Sequence, residues 1–181
     1  ADPFAFYREL VQNAIDAGTE RDTVYLRDKT SAAWRIDNRR SRISAKGTTM
    51  RFVSAEEFKT YVLRWRSLRF TGSSSPETLD LTDFGSNRGN GPVRVDFGGG
   101  RDLAVIDRST RGSLDGGGQA DTLVVDAFGS GGVKGTARVD LRTGRTFLAG
   151  HRLSTTSFTR LSLMGFAENT VRGTVAGNWL W

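Results

Sequence analysis

Two aspartates and three consecutive glycines stand ahead of a short apolar run in the stretch GSLDGGGQADTLVVD, residues 112–126. Aspartate offers hard carboxylate oxygens, and glycine lets a turn point its carbonyls inward; together they supply the six or more oxygens that a calcium ion takes. A shift of 19 residues lays the earlier stretch VDFGGGRDLAVID, residues 95–107, on LDGGGQADTLVVD, residues 114–126. Asp96, Gly98, Gly99, Asp102, Val105 and Asp107 then fall on Asp115, Gly117, Gly118, Asp121, Val124 and Asp126. Asp102 and Asp121 are thus the candidate pair of calcium ligands, one repeat apart. The same pattern also suits a turn without an ion, in which aspartate side chains cap backbone amides. Arg101 and Arg108, close by in sequence, favour that alternative.

A second kind of chemistry is offered by VLRWRSLRF, residues 62–70, where Arg64, Arg66 and Arg69 interleave with Trp65 and Phe70. Guanidinium groups fork onto phosphate, sulfate or carboxylate, and an aromatic face stacks on a base or sugar ring. This points to an anionic polymer, with a polysaccharide or cell-envelope polymer ahead of nucleic acid. The plain alternative is a core tryptophan flanked by solvated arginines. Asp96, Asp115 and Asp140 suggest a third possibility, an enzyme domain that attacks acidic polysaccharides with carboxylates and arginines. No cysteine is present and histidine occurs once, as His151, so thiolate chemistry is excluded and a zinc or Ser-His-Asp site would depend on that single residue.

The elements that would hold these residues change along the chain. Phe4, Tyr7, Val11, Ala14 and Ile15 have helical spacing over residues 4–17, ended by Gly18. Alternating runs at 22–28, 32–37, 41–45 and 48–54 predict strands of a small antiparallel sheet. Ser54 and Glu57 form a capping-box signature for a second helix over 55–68, with Phe58, Val62 and Trp65 on one stripe. The expectation is a small α+β unit over 1–70, a Ser/Gly/Pro linker at 71–76, and a unit over 77–181 with no helical periodicity. Recurrence near twenty residues in that last unit predicts a β-solenoid, its coils some 19–25 residues long and turning on glycine. The fold class expected is therefore mainly β, with a C-terminal β-roll or β-helix-like solenoid. GSNRGNG, residues 85–91, precedes a strand instead of a helix and reads as a loop.

These residues resemble the hemolysin-type, or RTX, calcium-binding β-roll repeats of secreted bacterial proteins, whose nonapeptide is GGxGxDxUx. Gly116, Gly117, Asp121 and Leu123 match it, with Gln119 where the third glycine belongs. Gly98, Gly100 and Asp102 match in the preceding repeat, where Phe97 replaces the first glycine and Ala104 the large apolar residue. The likeness covers roughly residues 90–181. It implies a secreted or cell-surface location and, where the repeats are intact, calcium. Separately, RELVQNAIDAG, residues 8–18, is similar to the N-box helix of the gyrase and chaperone type ATPases, with Glu9 and Asn13 at its two functional positions. The glycine-rich adenine motif that should follow it is missing.

Charge sharpens the choice among partners. The net charge of +6 lies mostly in residues 1–75, which hold 14 Lys/Arg against 9 Asp/Glu. A polyanion would be drawn there. No apolar run approaches the roughly 20 residues that cross a bilayer, and both ends look cut from a larger parent chain. The reading that results is a non-catalytic module of a secreted or surface bacterial protein, acting as spacer, adhesin or anionic-polymer binder.

Overall fold

The protein's structure, a computed structural model, describes residues 21–26, 33–45, 47–51, 57–62, 65–82, 90–127, 135–174 and 179–180. Apolar and polar residues alternate with period two through most of this chain, and that pattern makes strands with one buried face. In order they are β1 (Arg21–Leu26), β2 (Ala33–Asp37), β3 (Arg42–Ala45), β4 (Thr48–Arg51), β5 (Glu57–Val62), β6 (Ser67–Thr71), β7 (Glu77–Asp80), β8 (Val93–Asp96) and β9 (Leu103–Ile106). They continue as β10 (Gly112–Asp115), β11 (Asp121–Asp126), β12 (Thr136–Asp140), β13 (Arg145–Leu148), β14 (His151–Thr156), β15 (Phe158–Met164), β16 (Glu168–Arg172) and β17 (Trp179–Leu180). A single 3-10 turn, Asn38–Arg40, is the helical element among the described residues.

The strands form two sheets. One is parallel and seven-stranded, in the order β1-β5-β7-β9-β11-β15-β17; the other is mixed and ten-stranded, in the order β16-β12-β13-β14-β10-β8-β6-β2-β3-β4. From β5 to β11 successive strands alternate between the two sheets. Inward side chains from both sheets meet in one core, in which Leu79, Ala104 and Leu123 lie on the parallel side and Leu68, Val95 and Leu114 on the mixed side. Phe70, Phe97 and Phe158 stack through it, with ring centroids 5.3 and 6.4 Å apart. Phe97, the departure from the repeat's first glycine, is fully buried, and Gly72 and Gly116 stand at the same corner position on the two neighbouring strands.

The repeat seen in sequence is the pairing register. Asp96 lies opposite Asp115 and Leu103 opposite Thr122, both at the 19-residue shift. The apolar centres further along do not continue it: Leu114 is followed by Thr155 in its sheet, and Leu161 lies opposite Leu123. Antiparallel β12 and β13 intervene before β14.

Two predicted elements are corrected. The helix expected over 55–68 is instead β5 and β6. Thr60 and Val62 are buried at alternate positions, Lys59 less so, and β5 is held between β1 and β7 by parallel pairing on both sides. The capping-box signal is local, and two flanking ladders outweigh it. The described part of the unit expected to be α+β therefore holds strands and turns, with no helix beyond the 3-10 turn, while the helix expected over 4–17 lies outside the described residues. The stretch expected as a linker, 71–76, is a corner. Both sheets run across it, since β5 pairs with β7 and β6 with β8.

Candidate functional site

Three such corners stack: residues 72–76, 97–101 and 116–120, each joining the ten-stranded to the seven-stranded sheet. Gly99 N donates to Ser73 O and Gly118 N to Gly98 O, both at 2.9 Å. The corner backbone enters the left-handed region at Gly98, Gly100 and Gly117, and also at Gln119 with φ 79°. Gln119 thus takes the conformation that the repeat pattern reserves for glycine. A Cβ on Gly117 would stand 2.0 Å from the Gly98 carbonyl oxygen, so this position admits glycine alone.

After each corner comes an acid: Glu77, Asp102 and Asp121, which are 2%, 2% and 0% exposed. Asp102 Oδ1 accepts from Glu77 N at 2.8 Å, and Asp121 Oδ1 accepts from Asp102 N at 2.9 Å. Glu77 Oε1 accepts from Ser73 N at 2.7 Å and Asn38 Nδ2 at 3.1 Å. The other oxygen of each acid, Glu77 Oε2, Asp102 Oδ2 and Asp121 Oδ2, is buried without a partner. Burial pushes Asp102 up to about 7 against the pull of the Glu77 N–H, and neighbouring Glu77 and Asp121 raise it further. Burial likewise raises Glu77 and Asp121. The three form a ladder of buried acids that favours the protonated form, one acid per strand.

This donor set fits protons better than the calcium that the resemblance implies. Each acid already gives one oxygen to a hydrogen bond, the free oxygens are one strand apart, and the Gly98 carbonyl is taken by Gly118 N. Among the described residues no three His, Cys, Asp or Glu side chains gather in a metal-holding group.

A second ladder runs on the outside of the ten-stranded sheet. Arg35, Arg69 and Arg94 lie directly opposite one another on β2, β6 and β8, all exposed. Each projects outward because its neighbours in sequence, Trp34 and Ile36, Leu68 and Phe70, Val93 and Val95, are buried. None of the three has an acidic partner among the described residues. In β-sheets like charges directly opposite repel, so this row is held by the strands and not by mutual attraction. Beside it the outward residues are short, Ala33 and Ser67 in register and then Pro92. The result is a groove of about 650 Å³ lined by the three arginines together with Ser44 and Thr49.

The residues singled out in 62–70 divide accordingly. The expectation for Trp65 is corrected: it is 1% exposed, its Nε1 donates to Gly91 O at 2.8 Å, and it is unable to stack on a ligand. Arg69 is in the row, Arg66 is exposed outside it, and Arg64 lies outside the described residues. Grouping arginines by sequence proximity missed Arg35 and Arg94. A signal for them was present in WRID, LRFT and VRVD, residues 34–37, 68–71 and 93–96, which share an arginine between two apolar residues.

The expected carboxylate row is also redrawn. Asp96 and Asp115 are neighbours, but Thr156 comes next and Asp140 sits on β12. Asp115 Oδ1 accepts from Gly117 N at 3.1 Å, and Asp140 Oδ1 accepts from Arg142 N and Thr143 N, each at 3.1 Å. These two acids cap turns. His151 is exposed at the start of β14. Glu9 and Asn13 lie outside the described residues, as does most of 85–91. No helix among the described residues is long and apolar enough to cross a membrane.

Compared with known protein families, curated proteins and solved structures, the chain matches none.

Proposed function

We propose that this protein is a non-catalytic binding module that holds an anionic polymer against the outer face of its ten-stranded sheet. The observation that carries this reading is the Arg35, Arg69 and Arg94 row, three exposed guanidinium groups along one groove, without acidic partners among the described residues. Strand spacing puts successive members of the row about 4.8 Å apart, so an extended polymer crossing the strands meets one cation at each step. Guanidinium forks bind carboxylate, sulfate or phosphate oxygens in pairs.

In this reading the two sheets are the two broad sides of a β-solenoid. Strands alternating between the sheets and pairings 25 and 19 residues apart support it. The stacked glycine corners support the likeness to secreted β-roll repeats, with buried acids shifted toward the protonated form where that family places calcium. A secreted or cell-surface location is what that likeness implies.

The test is retention on an immobilised polyuronate as a function of salt. The wild-type chain is expected to bind and to elute as ionic strength rises, because exposed charge pairs are screened. The variant carrying Arg35→Gln, Arg69→Gln and Arg94→Gln should lose about 100-fold in affinity, roughly 1 kcal/mol per cation removed. Equal retention of the two proteins would end the proposal.

A further inference from the structure

We propose a second subsite on the same face, centred on Phe147, that takes the ring of an acidic sugar; resting on the reading above, this makes the polymer a uronate-containing glycan.

Phe147 lies on β13, half-buried, with the Arg152 guanidinium 5.2 Å from its ring centroid. Two cavities of about 520 and 360 Å³ open beside it, and Phe147 and Arg145 line both. Arg138 is directly opposite Phe147 on β12, and Arg172 is opposite Asp140. The subsite therefore combines an apolar ring surface, a ring of cations and one carboxylate acceptor.

That combination discriminates among polyanions. The C–H face of a pyranose packs on an aromatic ring, its carboxylate forks onto arginine, and its hydroxyls donate to an acceptor such as Asp140. A bare phosphate polymer has no ring for Phe147. Single-stranded nucleic acid offers a ring, but its anionic phosphodiester lies off the ring that stacks, whereas a uronate carries its carboxylate on the pyranose itself.

Geometry joins the subsite to the arginine groove. The row through Arg94 continues in register through Ser113, Ser154, Arg145 and Asp140 to Arg172. From Arg35 to Arg172 it crosses eight strands, roughly 34 Å at the usual strand spacing. An extended polymer laid along this row would span all eight strands, from the arginine groove to Phe147.

The full chain and three probes decide it: a 1,4-linked oligogalacturonate of eight or more sugars, inorganic polyphosphate, and single-stranded DNA, with affinities measured by calorimetry. The wild type is expected to prefer the oligogalacturonate. Phe147→Ala should weaken that binding roughly tenfold, the effect of losing one stacking surface, and leave polyphosphate unchanged. Phe147→Leu keeps an apolar side chain in the same place and should show the same loss, which separates stacking from repacking. Unchanged oligogalacturonate binding in both Phe147 variants, or tighter binding of polyphosphate or DNA by the wild type, overturns this inference. Should the triple arginine variant bind the oligogalacturonate like the wild type, the underlying function fails instead.

Discussion

Two rows of like charge cross the same strand stack and are tolerated for opposite reasons. Glu77, Asp102 and Asp121 are buried, and the backbone holds them: Asp102 and Asp121 each accept from the N–H of the preceding acid in the stack, and Glu77 from Ser73 N. Arg35, Arg69 and Arg94 are exposed on long side chains that water solvates. Burial raises all three inner acids toward the protonated form, whereas the outer row lies in solvent and has no hydrogen-bonding duty among the described residues. A charged ladder is thus available to a ligand only where the fold has not already engaged its polar atoms.

The largest effect that tests this contrast is on stability against pH. A carboxyl group whose folded value is raised binds more protons folded than unfolded, so its contribution is complete below the ordinary carboxylate value near 3.9 and is lost as pH rises through the folded value. For Asp102 that window runs up to about 7. Chemical denaturation should show roughly 2–4 kcal/mol less stability at pH 7.5 than at pH 4.5, because each tenfold difference in proton affinity between the folded and unfolded chain is worth about 1.4 kcal/mol. Asp102→Asn, which keeps an oxygen for Glu77 N, should flatten much of that slope. An unchanged slope would mean that the inner row is not held protonated.

Removing the side chain altogether is a smaller perturbation of a different kind. At pH 5, Asp102→Ala leaves the buried Glu77 N–H without its acceptor and should cost about 1–3 kcal/mol. If the variant matched Asp102→Asn at that pH, the oxygen-to-amide bond would not be what the inner row contributes. Smallest of all is the expected change on the outside. Arg69→Gln relieves repulsion from two neighbours in register, so its melting temperature should equal or slightly exceed the wild type's at low salt. A clear fall would show that the outer row has a structural duty after all.

The inner row was half legible in the sequence. Asp102 and Asp121 stand out because the flanking glycines repeat with them at a 19-residue shift, and the strands pair at that shift. Glu77 was hidden because its corner, GSSSP, has serines and proline after a single glycine, and such composition reads as a linker. The outer row was less legible, since Arg35, Arg69 and Arg94 are neighbours only through pairings 34 and 25 residues apart. No local pattern carries that register. The same limit explains β5: local spacing favours a helix, whereas its partners β1 and β7 lie in distant sequence. Trp65 was conspicuous as an aromatic among arginines, but its indole N–H is satisfied inside by the Gly91 carbonyl.

The unequal strand counts of the two sheets have a practical reach. All the antiparallel additions, β3 with β4 and β12 with β13, widen the ten-stranded sheet and leave the seven-stranded one parallel throughout. One side of the molecule is then a ruler that hairpins can lengthen while the opposite side keeps its gauge. Grafting or trimming a hairpin there would change the width of that side alone.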